Sequence, residues 1–178
     1  RNYLQNETPA PEPTPDANAK VLVAYFSATG NTENIAQHLE TVLDADLYEI
    51  VPQQPYTSAD LNYGSSNSRA EQEINDPTAR PAISGSVSNM DDYDVVFIGY
   101  PIWWGQAPKI IYTFLESYDF SGKTIIPFCT SASSGIGGSI SGIQALAPNA
   151  NWLSGQRFSG SASLADVKTW TDGLDFAK

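Results

Sequence analysis

One sequence feature restricts the fold of this chain more than any other. It is an apolar segment that is followed directly by a hydroxyl-rich loop and then by a helical pattern. Val21–Phe26 is a continuous apolar run, which is typical of a strand buried on both faces of a parallel sheet. The loop Ser27–Thr32 follows, and apolar residues then recur between Ile35 and Leu43 at the spacing of one buried helix face. This arrangement predicts the first strand, loop and helix of an open α/β sheet.

The same alternation of apolar runs and helical patterns continues to the end of the chain. Four further strands are predicted at Asp46–Val51, Val95–Tyr100, Thr124–Cys129 and Trp152–Leu153. Further helices are predicted at 68–75, 107–117, 138–147 and 165–176. Strands joined by helical crossovers form a parallel sheet with helices on both faces, so we predict a three-layer α/β fold. Residues 52–90 are less regular, and their length is typical of a functional insertion or a covering segment.

The first 19 residues differ in composition from the rest of the chain. Four prolines alternate with small and acidic residues between Pro9 and Pro15, a pattern that favours an extended, solvated spacer. We therefore predict a proline-rich acidic linker or tail at 1–19 and a single domain at 20–178. A spacer of this kind suits a domain held away from a membrane anchor, so an exported, tethered location is expected in preference to a cytoplasmic one.

Charge and cysteine content exclude several classes of function. The chain has 20 Asp and Glu against 9 Lys and Arg, a net charge of −11, so it lacks the basic surface that nucleic-acid binding requires. The same charge disfavours direct contact with an anionic membrane. A single cysteine, Cys129, and a single histidine, His38, rule out a disulfide framework and clustered Cys or His metal sites. Cys129 is expected to pack as a small buried hydrophobic residue.

The loop after the first strand has the composition of a phosphate site. Ligands of open parallel sheets bind beyond the carboxyl ends of the strands. The loop residues with suitable chemistry are Ser27, Thr29, Gly30, Asn31 and Thr32. Their hydroxyl, amide and backbone N–H groups, together with the positive end of the helix dipole, suit a dianionic phosphate. The absence of Lys and Arg argues against a nucleotide triphosphate loop, and an ordinary helix N-cap is the alternative interpretation.

Three loops in this order resemble those of the flavodoxin-like family. Ser27–Thr32 is similar to the family's phosphate loop, T/S-x-T-G-N-T, and Gly99–Gly105 (GYPIWWG) is similar to its Pro-x-Trp loop. Cys129–Gly135 lies where a second flavin loop follows the fourth strand. The resemblance covers roughly residues 20–178 and is strongest with bacterial flavodoxin-like proteins. It implies an open parallel five-stranded sheet of order 2-1-3-4-5 and a non-covalently bound FMN.

The resemblance implies that residues of these three loops bind the FMN. Besides the five residues of the first loop, they are Pro101, Ile102, Trp103, Trp104, Gly105, Thr130, Ser131, Ser133, Ser134 and Gly135. Trp103 is the expected stacking ring, and one of the two indoles is expected to pack partly into the core. Residues 130–142 contain no aromatic residue, whereas many electron-transfer flavodoxins have one there. The second flavin face is therefore expected to be open or covered by the 52–90 segment, with Tyr56 and Tyr63 as candidates.

The cofactor, rather than a side chain, is expected to carry the chemistry, so no catalytic acid or base is predicted. The resemblance favours electron transfer between redox partners, which are either proteins or small-molecule oxidants and reductants. The alternative is an NAD(P)H-dependent quinone or flavin reductase, because an open flavin face would admit a hydride donor or a quinone. A non-redox module that binds another phosphorylated ligand is the third possibility. The sequence indicates no oligomeric state.

Overall fold

The domain is a parallel sheet with helices on both faces. The computed structural model describes residues 19–64 and 67–176, so the linker predicted at 1–19 lies, apart from Ala19, outside the described residues. The strands are β1 (Val21–Tyr25), β2 (Asp46–Glu49), β3 (Val51–Pro52), β4 (Ile83–Ser84), β5 (Val95–Pro101), β6 (Thr124–Thr130), β7 (Asn151–Trp152) and β8 (Gln156–Phe158). The helices are α1 (Asn31–Leu43), α2 (Arg69–Asn75), α3 (Lys109–Glu116), α4 (Gly137–Gln144) and α5 (Leu164–Asp172).

The order of the strands confirms the predicted topology. The main sheet runs β2-β1-β5-β6, with β7 and β8 both pairing with the free side of β6, and every pairing in it is parallel. When the strands of this sheet alone are counted along the chain, the order is 2-1-3-4-5. β5 and β6 are then the third and fourth strands, and β7 and β8 are two pieces of the fifth. Because the winding reverses between β1 and β5, the loops that follow these neighbouring strands leave the same sheet edge in opposite directions and open a crevice between them.

Two hydrophobic cores form because neighbouring side chains of a strand point to opposite faces. On one face, Val23 and Phe97 pack with Leu39 of α1 and Val167 of α5. On the other face, the alternate strand residues pack with α3, α4 and α2. Every side chain of β1 is buried, as are those of β5 up to Tyr100. This two-sided burial explains why the sequence of the central strands is continuously apolar.

The fifth strand differs from its prediction. Instead of one strand at Trp152–Leu153, the chain forms β7 and β8, and the register against β6 shifts by one residue between Ile125↔Trp152 and Phe128↔Gln156. The extra residue forms a bulge opposite Pro127, which has no N–H to continue a ladder. Gly155 passes so close to this point that a Cβ atom there would lie 2.6 Å from the Pro127 carbonyl oxygen. The predicted extent was wrong because hydrophobicity does not report such a bulge.

The 52–90 segment contains more structure than its irregular sequence suggests. Its helix α2 confirms the prediction at 68–75 and begins at Ser68, whose Oγ accepts the Glu71 N–H at 3.3 Å. Strands β3 and β4 flank α2 in the sequence and pair antiparallel in a small separate sheet, so the strand predicted at Asp46–Val51 ends at Glu49 instead. The buried Lys109 of α3 donates from Nζ to the Ile74 carbonyl at 3.0 Å, which fixes the end of α2 to the domain. Within the described ranges, no helix has the length and apolar character that a membrane span needs.

Close packing between β5 and β6 supplies a stability test. Gly99 faces the ring of its partner Phe128, and a Cβ atom at Gly99 would lie 2.1 Å from that ring. Gly99→Ala should therefore lower the free energy of unfolding by about 1–3 kcal/mol or more, because the added methyl overfills a packed core. Urea unfolding of the apoprotein measures this. Gly137→Ala, with open space around its Cβ position, is the control and should leave stability unchanged or slightly raised. Equal stability of both variants would contradict the packing argument.

Candidate functional site

A cavity lies at the carboxyl ends of β1, β5, β6 and β8. Its volume is about 520 Å³, and it is lined by residues of the loops that follow these four strands and by two residues of the 52–90 segment. The lining residues are Ala28, Thr29, Asn31, Thr32, Leu61, Tyr63, Pro101, Ile102, Trp103, Thr130, Ser131, Ala132, Ser159, Gly160 and Ser161. This volume is within the usual range of small-molecule sites, roughly 300–1,000 Å³.

The first loop turns the chain from β1 into α1. Ser27 Oγ accepts the N–H groups of Gly30 at 3.1 Å and of Glu33 at 3.2 Å, so this hydroxyl shapes the loop instead of facing the cavity. Gly30 has φ +92°, a left-handed conformation that favours glycine. The first N–H groups of a helix have no acceptor within the helix. In the described residues, those of Asn31 and Thr32 have none elsewhere, which leaves them available at the cavity.

A buried hydroxyl pair joins the first loop to the loop after β6. The Oγ1 atoms of Thr32 and Thr130 are 2.7 Å apart, and both residues are almost fully buried. The carbonyl of Thr130 also accepts the Ile102 N–H at 3.0 Å. One residue, Thr130, thus connects three of the loops that surround the cavity.

A tight turn places the two tryptophans differently. Trp103 and Gln106 exchange two backbone hydrogen bonds of 2.9 Å, and the intervening Trp104 and Gly105 have φ +49° and +77°. Positive φ at both central residues is the requirement of a type I′ turn. Trp103 lines the cavity from the base of this turn, whereas Trp104 lies at its tip, outside the cavity lining.

Residues behind Trp103 hold its ring in place. The indole is only 6% exposed and meets the rings of Phe26 at 5.6 Å and Tyr56 at 5.2 Å, both edge to face. Tyr56 in turn donates its hydroxyl to Glu73, and the guanidinium of Arg69 lies 3.8 Å from the Tyr56 ring centroid. Burial, reinforced by the Glu73 carboxylate, raises the pKa of Tyr56. Tyr56 therefore supports the Trp103 wall rather than facing the cavity.

Tyr63 closes part of the cavity from the 52–90 segment. Its ring stacks on Trp104 with centroids 4.2 Å apart, and its hydroxyl donates to the Ile102 carbonyl at 3.4 Å. Tyr63 is 60% exposed and, with Leu61, lines the cavity. The segment that was expected to cover the site contributes these two residues to it.

The loop after β8 forms a side of the cavity that the sequence analysis missed. Gly160 lies against the Asn31 side chain, where a Cβ atom would be only 2.5 Å away. Asn34 of α1 donates its amide to the Gly160 carbonyl at 3.0 Å. The available signal was the run Ser159-Gly160-Ser161, whose residue types match those of the first loop, but the misplaced fifth strand hid its position at a strand end.

Arg157 was also missed, although this cation contacts the cavity wall. It precedes Phe158 at the end of β8 and donates from Nη2 to the carbonyls of Ser131 at 2.7 Å and Ala132 at 2.6 Å. Its Nε donates to Ser131 Oγ at 3.1 Å, and that hydroxyl donates to the Ser134 carbonyl. The Ser131 side chain is therefore engaged within its own loop.

The structure brings together eight of the fifteen residues predicted at the site. The eight that line the cavity are Thr29, Asn31, Thr32, Pro101, Ile102, Trp103, Thr130 and Ser131. The seven outside the lining are Ser27, Gly30, Trp104, Gly105, Ser133, Ser134 and Gly135. The first four of these seven shape the two loops described above.

The cavity lining is almost free of ionisable groups. Of its residues, only Tyr63 has a titratable side chain. No group of three or more His, Cys, Asp or Glu in the described ranges is placed to hold a metal ion. Cys129 is fully buried beneath the site, as predicted, and burial raises the pKa of its thiol to about 12, so it is not a thiolate at neutral pH. The arrangement offers neutral hydrogen-bond donors and an aromatic surface.

A family match decides what kind of protein this is. The family model described as Flavodoxin matches residues 20–174. The chain belongs to the flavodoxin family. This confirms the resemblance inferred from the three loops, and the sheet order agrees with it.

Solved structures resemble this flavodoxin over nearly their whole length. It is 48% identical to a protein from Bacteroides eggerthii described as a flavoprotein, with 87% of this chain and 97% of that chain covered and a TM-score of 0.82. A Bacteroides uniformis protein with the same description is 44% identical, with coverages of 86% and 98% and a TM-score of 0.83. A Lactobacillus acidophilus flavoprotein, solved in complex with FMN, shares the fold at 23% identity, with coverages of 86% and 99% and a TM-score of 0.64. No curated protein matches the chain.

The Thr32–Thr130 pair can be tested by a double-mutant cycle in the apoprotein. Thr32→Val leaves the buried Thr130 hydroxyl without its partner, so the free energy of unfolding should fall by about 1–3 kcal/mol. The Thr32→Val/Thr130→Val double variant should lose less than the sum of the single variants, because both polar groups are gone. Thr41→Val, at an exposed position of the same helix, is the control. Additive losses in urea unfolding would show that the two hydroxyls are not coupled.

Proposed function

We propose that this flavodoxin binds FMN in the cavity and carries electrons between redox partners. The observation that carries the proposal is the chemistry of the lining: neutral donors at a helix N-terminus, an indole wall, and Tyr63 as its sole titratable side chain. A site without a carboxylate, imidazole, amine or thiol suits electron transfer, which needs no proton-transferring side chain. Bound FMN would supply the electron-accepting ring.

The donor set of the first loop fits the phosphate of FMN. The N–H groups of Asn31 and Thr32 and the hydroxyl of Thr29 face the cavity at the positive end of the α1 dipole. The Thr32 hydroxyl is already bonded to Thr130, so it contributes mainly by fixing the loop. The Ser159–Ser161 loop, which packs against the Asn31 side chain, adds hydroxyl groups beside it. Neutral donors of this kind can hold a dianion without a basic side chain.

The aromatic and backbone surfaces of the other loops fit the flavin ring. Trp103 is immobilised by Phe26 and Tyr56, so it presents a surface whose orientation is fixed before any ligand binds. Preorganisation of this kind lowers the entropic cost of binding. Pro101, Ile102 and Tyr63 line the cavity together with Trp103. Backbone N–H groups of the 131–134 loop would meet the polar edge of the ring.

The negative charge of the chain supports a cationic redox partner. With a net charge of −11, the chain attracts positively charged proteins or small molecules and increases their encounter rate at low ionic strength. Electron transfer to such a partner should therefore slow as salt is added, because screening shortens the range of the attraction.

Selective loss of the phosphate contact tests the site. Thr29→Ala should weaken the binding of FMN by tenfold or more, since hydrogen bonds to a charged group contribute about 1.5–3 kcal/mol. Riboflavin lacks the phosphate, so its affinity should fall much less. Fluorescence titration of the apoprotein with each ligand gives both dissociation constants. Equal losses for the two ligands would place the phosphate elsewhere. Failure of the wild-type apoprotein to take up FMN would favour a non-redox module for another phosphorylated ligand.

A specific observation also favours the reductase alternative. The 131–134 loop presents no aromatic side chain to the cavity, and the ring of Tyr63 is stacked on Trp104. One side of the cavity therefore lacks a covering ring, which leaves room for a hydride donor or a quinone beside the flavin.

Anaerobic mixing with NADH or NADPH separates the two functions. For an electron carrier, the absorbance of bound FMN should bleach no faster than that of free FMN under the same conditions, because a carrier does not bind a nicotinamide nucleotide beside the flavin. Stopped-flow absorbance measures the rate. Bleaching that is faster by orders of magnitude and saturates with nucleotide concentration would refute the carrier and support the reductase.

A further inference from the structure

Arg157 is a charged side chain that holds the 131–132 part of the cavity wall directly. Its guanidinium donates to the Ser131 and Ala132 carbonyls and to the Ser131 hydroxyl, so three hydrogen bonds join β8 to the loop after β6. Ser131 and Ala132 line the FMN cavity, whereas Arg157 lies behind them and lines a neighbouring cavity of about 620 Å³. The guanidinium is thus one residue layer away from the proposed ligand.

Arg157 forms no ion pair with a described residue, although Asp166 lines the same neighbouring cavity. In the described part of the chain, Arg69, Arg80 and Lys168 each form an ion pair, but no carboxylate lies within 4.0 Å of the Arg157 guanidinium. Its hydrogen-bond acceptors are neutral carbonyl and hydroxyl oxygens. Because Arg157 is half-buried, its field is screened less than that of an exposed cation. It therefore adds a net positive potential at the 131–134 loop.

The same contacts fix the direction of two backbone dipoles. The carbonyl and N–H of a trans peptide point to opposite sides. Since the Ser131 and Ala132 carbonyls converge on Arg157, the N–H groups of the same two peptides, those of Ala132 and Ser133, point away from it. Neither N–H has an acceptor within the described ranges. Arg157 thus turns two unpartnered donors away from itself, and Ala132 lies on the cavity side of this loop.

We propose that Arg157 sets the polarity of the 131–134 loop and thereby stabilises the reduced form of the bound cofactor over the oxidised form. This inference rests on the proposed binding of FMN. Reduction at neutral pH adds two electrons and one proton to FMN and leaves one additional negative charge on the ring. Two N–H dipoles and a cation behind them interact more favourably with that charge than with the neutral oxidised ring.

The experiment compares the two-electron midpoint potential of FMN bound to wild type, Arg157→Gln and Arg157→Lys. Dithionite supplies the electrons and is oxidised to sulfite, and a reference dye in the same cuvette reports the potential. Arg157→Gln should weaken the binding of reduced FMN about tenfold more than the binding of oxidised FMN. This difference lowers the midpoint potential by about 30 mV for a two-electron couple. Arg157→Lys keeps the charge and should retain most of the wild-type potential. Lys168→Gln is the control: it removes an exposed cation of α5 and should leave the midpoint potential unchanged.

Each outcome supports or overturns a defined statement. A wild-type chain that does not bind FMN would refute the proposed function itself. If wild type and Arg157→Gln both bind FMN and have the same midpoint potential, only the role of Arg157 would be refuted. Equal weakening of oxidised and reduced FMN would also refute it, since Arg157 would then merely hold the loop. If Arg157→Gln does not fold, as judged by circular dichroism of the apoprotein, Arg157→Lys decides. A tenfold relative loss of reduced FMN in that variant would overturn the proposal.

Discussion

Parallel pairing of β1, β5 and β6 determines where every residue of the site lies. All three strands are buried along nearly their whole length, and their carboxyl ends meet at one edge of the sheet. Segments that are far apart in sequence, such as those containing Thr32 and Thr130, come within hydrogen-bond distance there. A shift of one residue in this register would exchange the two faces of a strand, so the hydrophobic pattern that builds the cores also fixes the loops.

The fold and the positions of three loops could be predicted from sequence because they depend on local patterns. Apolar runs and helix periodicity located β1, β5, β6 and the helices between them, and loop composition pointed to Thr29 and Asn31. The roles of Ser27 and Trp104 could not be predicted in the same way. Ser27 is engaged by the N–H groups of its own loop, and the type I′ turn holds Trp104 at its tip. Such assignments depend on backbone dihedral angles that residue type does not specify.

Long-range packing explains why two residues of the site could not be predicted from the sequence. Gly160 and Arg157 belong to the last strand and its loop, where a one-residue bulge opposite Pro127 divides the strand. Their function is visible only once β8 lies beside β6, since the partners of Arg157 are more than twenty residues earlier in the chain. The support of Trp103 by Tyr56 is equally non-local. A loop motif identifies two tryptophans, but the residues behind them decide which indole faces the cavity.

A neutral cavity within a strongly acidic domain has a physical consequence for ligand binding. The net charge of −11 repels a dianionic phosphate at long range, so its binding must depend on short-range donors at the start of α1. Such dipoles act over a few ångströms, whereas repulsion between exposed charges is largely screened beyond a Debye length of about 8–10 Å in ordinary buffers. At physiological ionic strength the local donors therefore dominate, and the surface charge would favour the cationic partner that we propose. The cation Arg157, placed behind the wall rather than in the cavity, adjusts the potential at the ring without providing a second site for the phosphate.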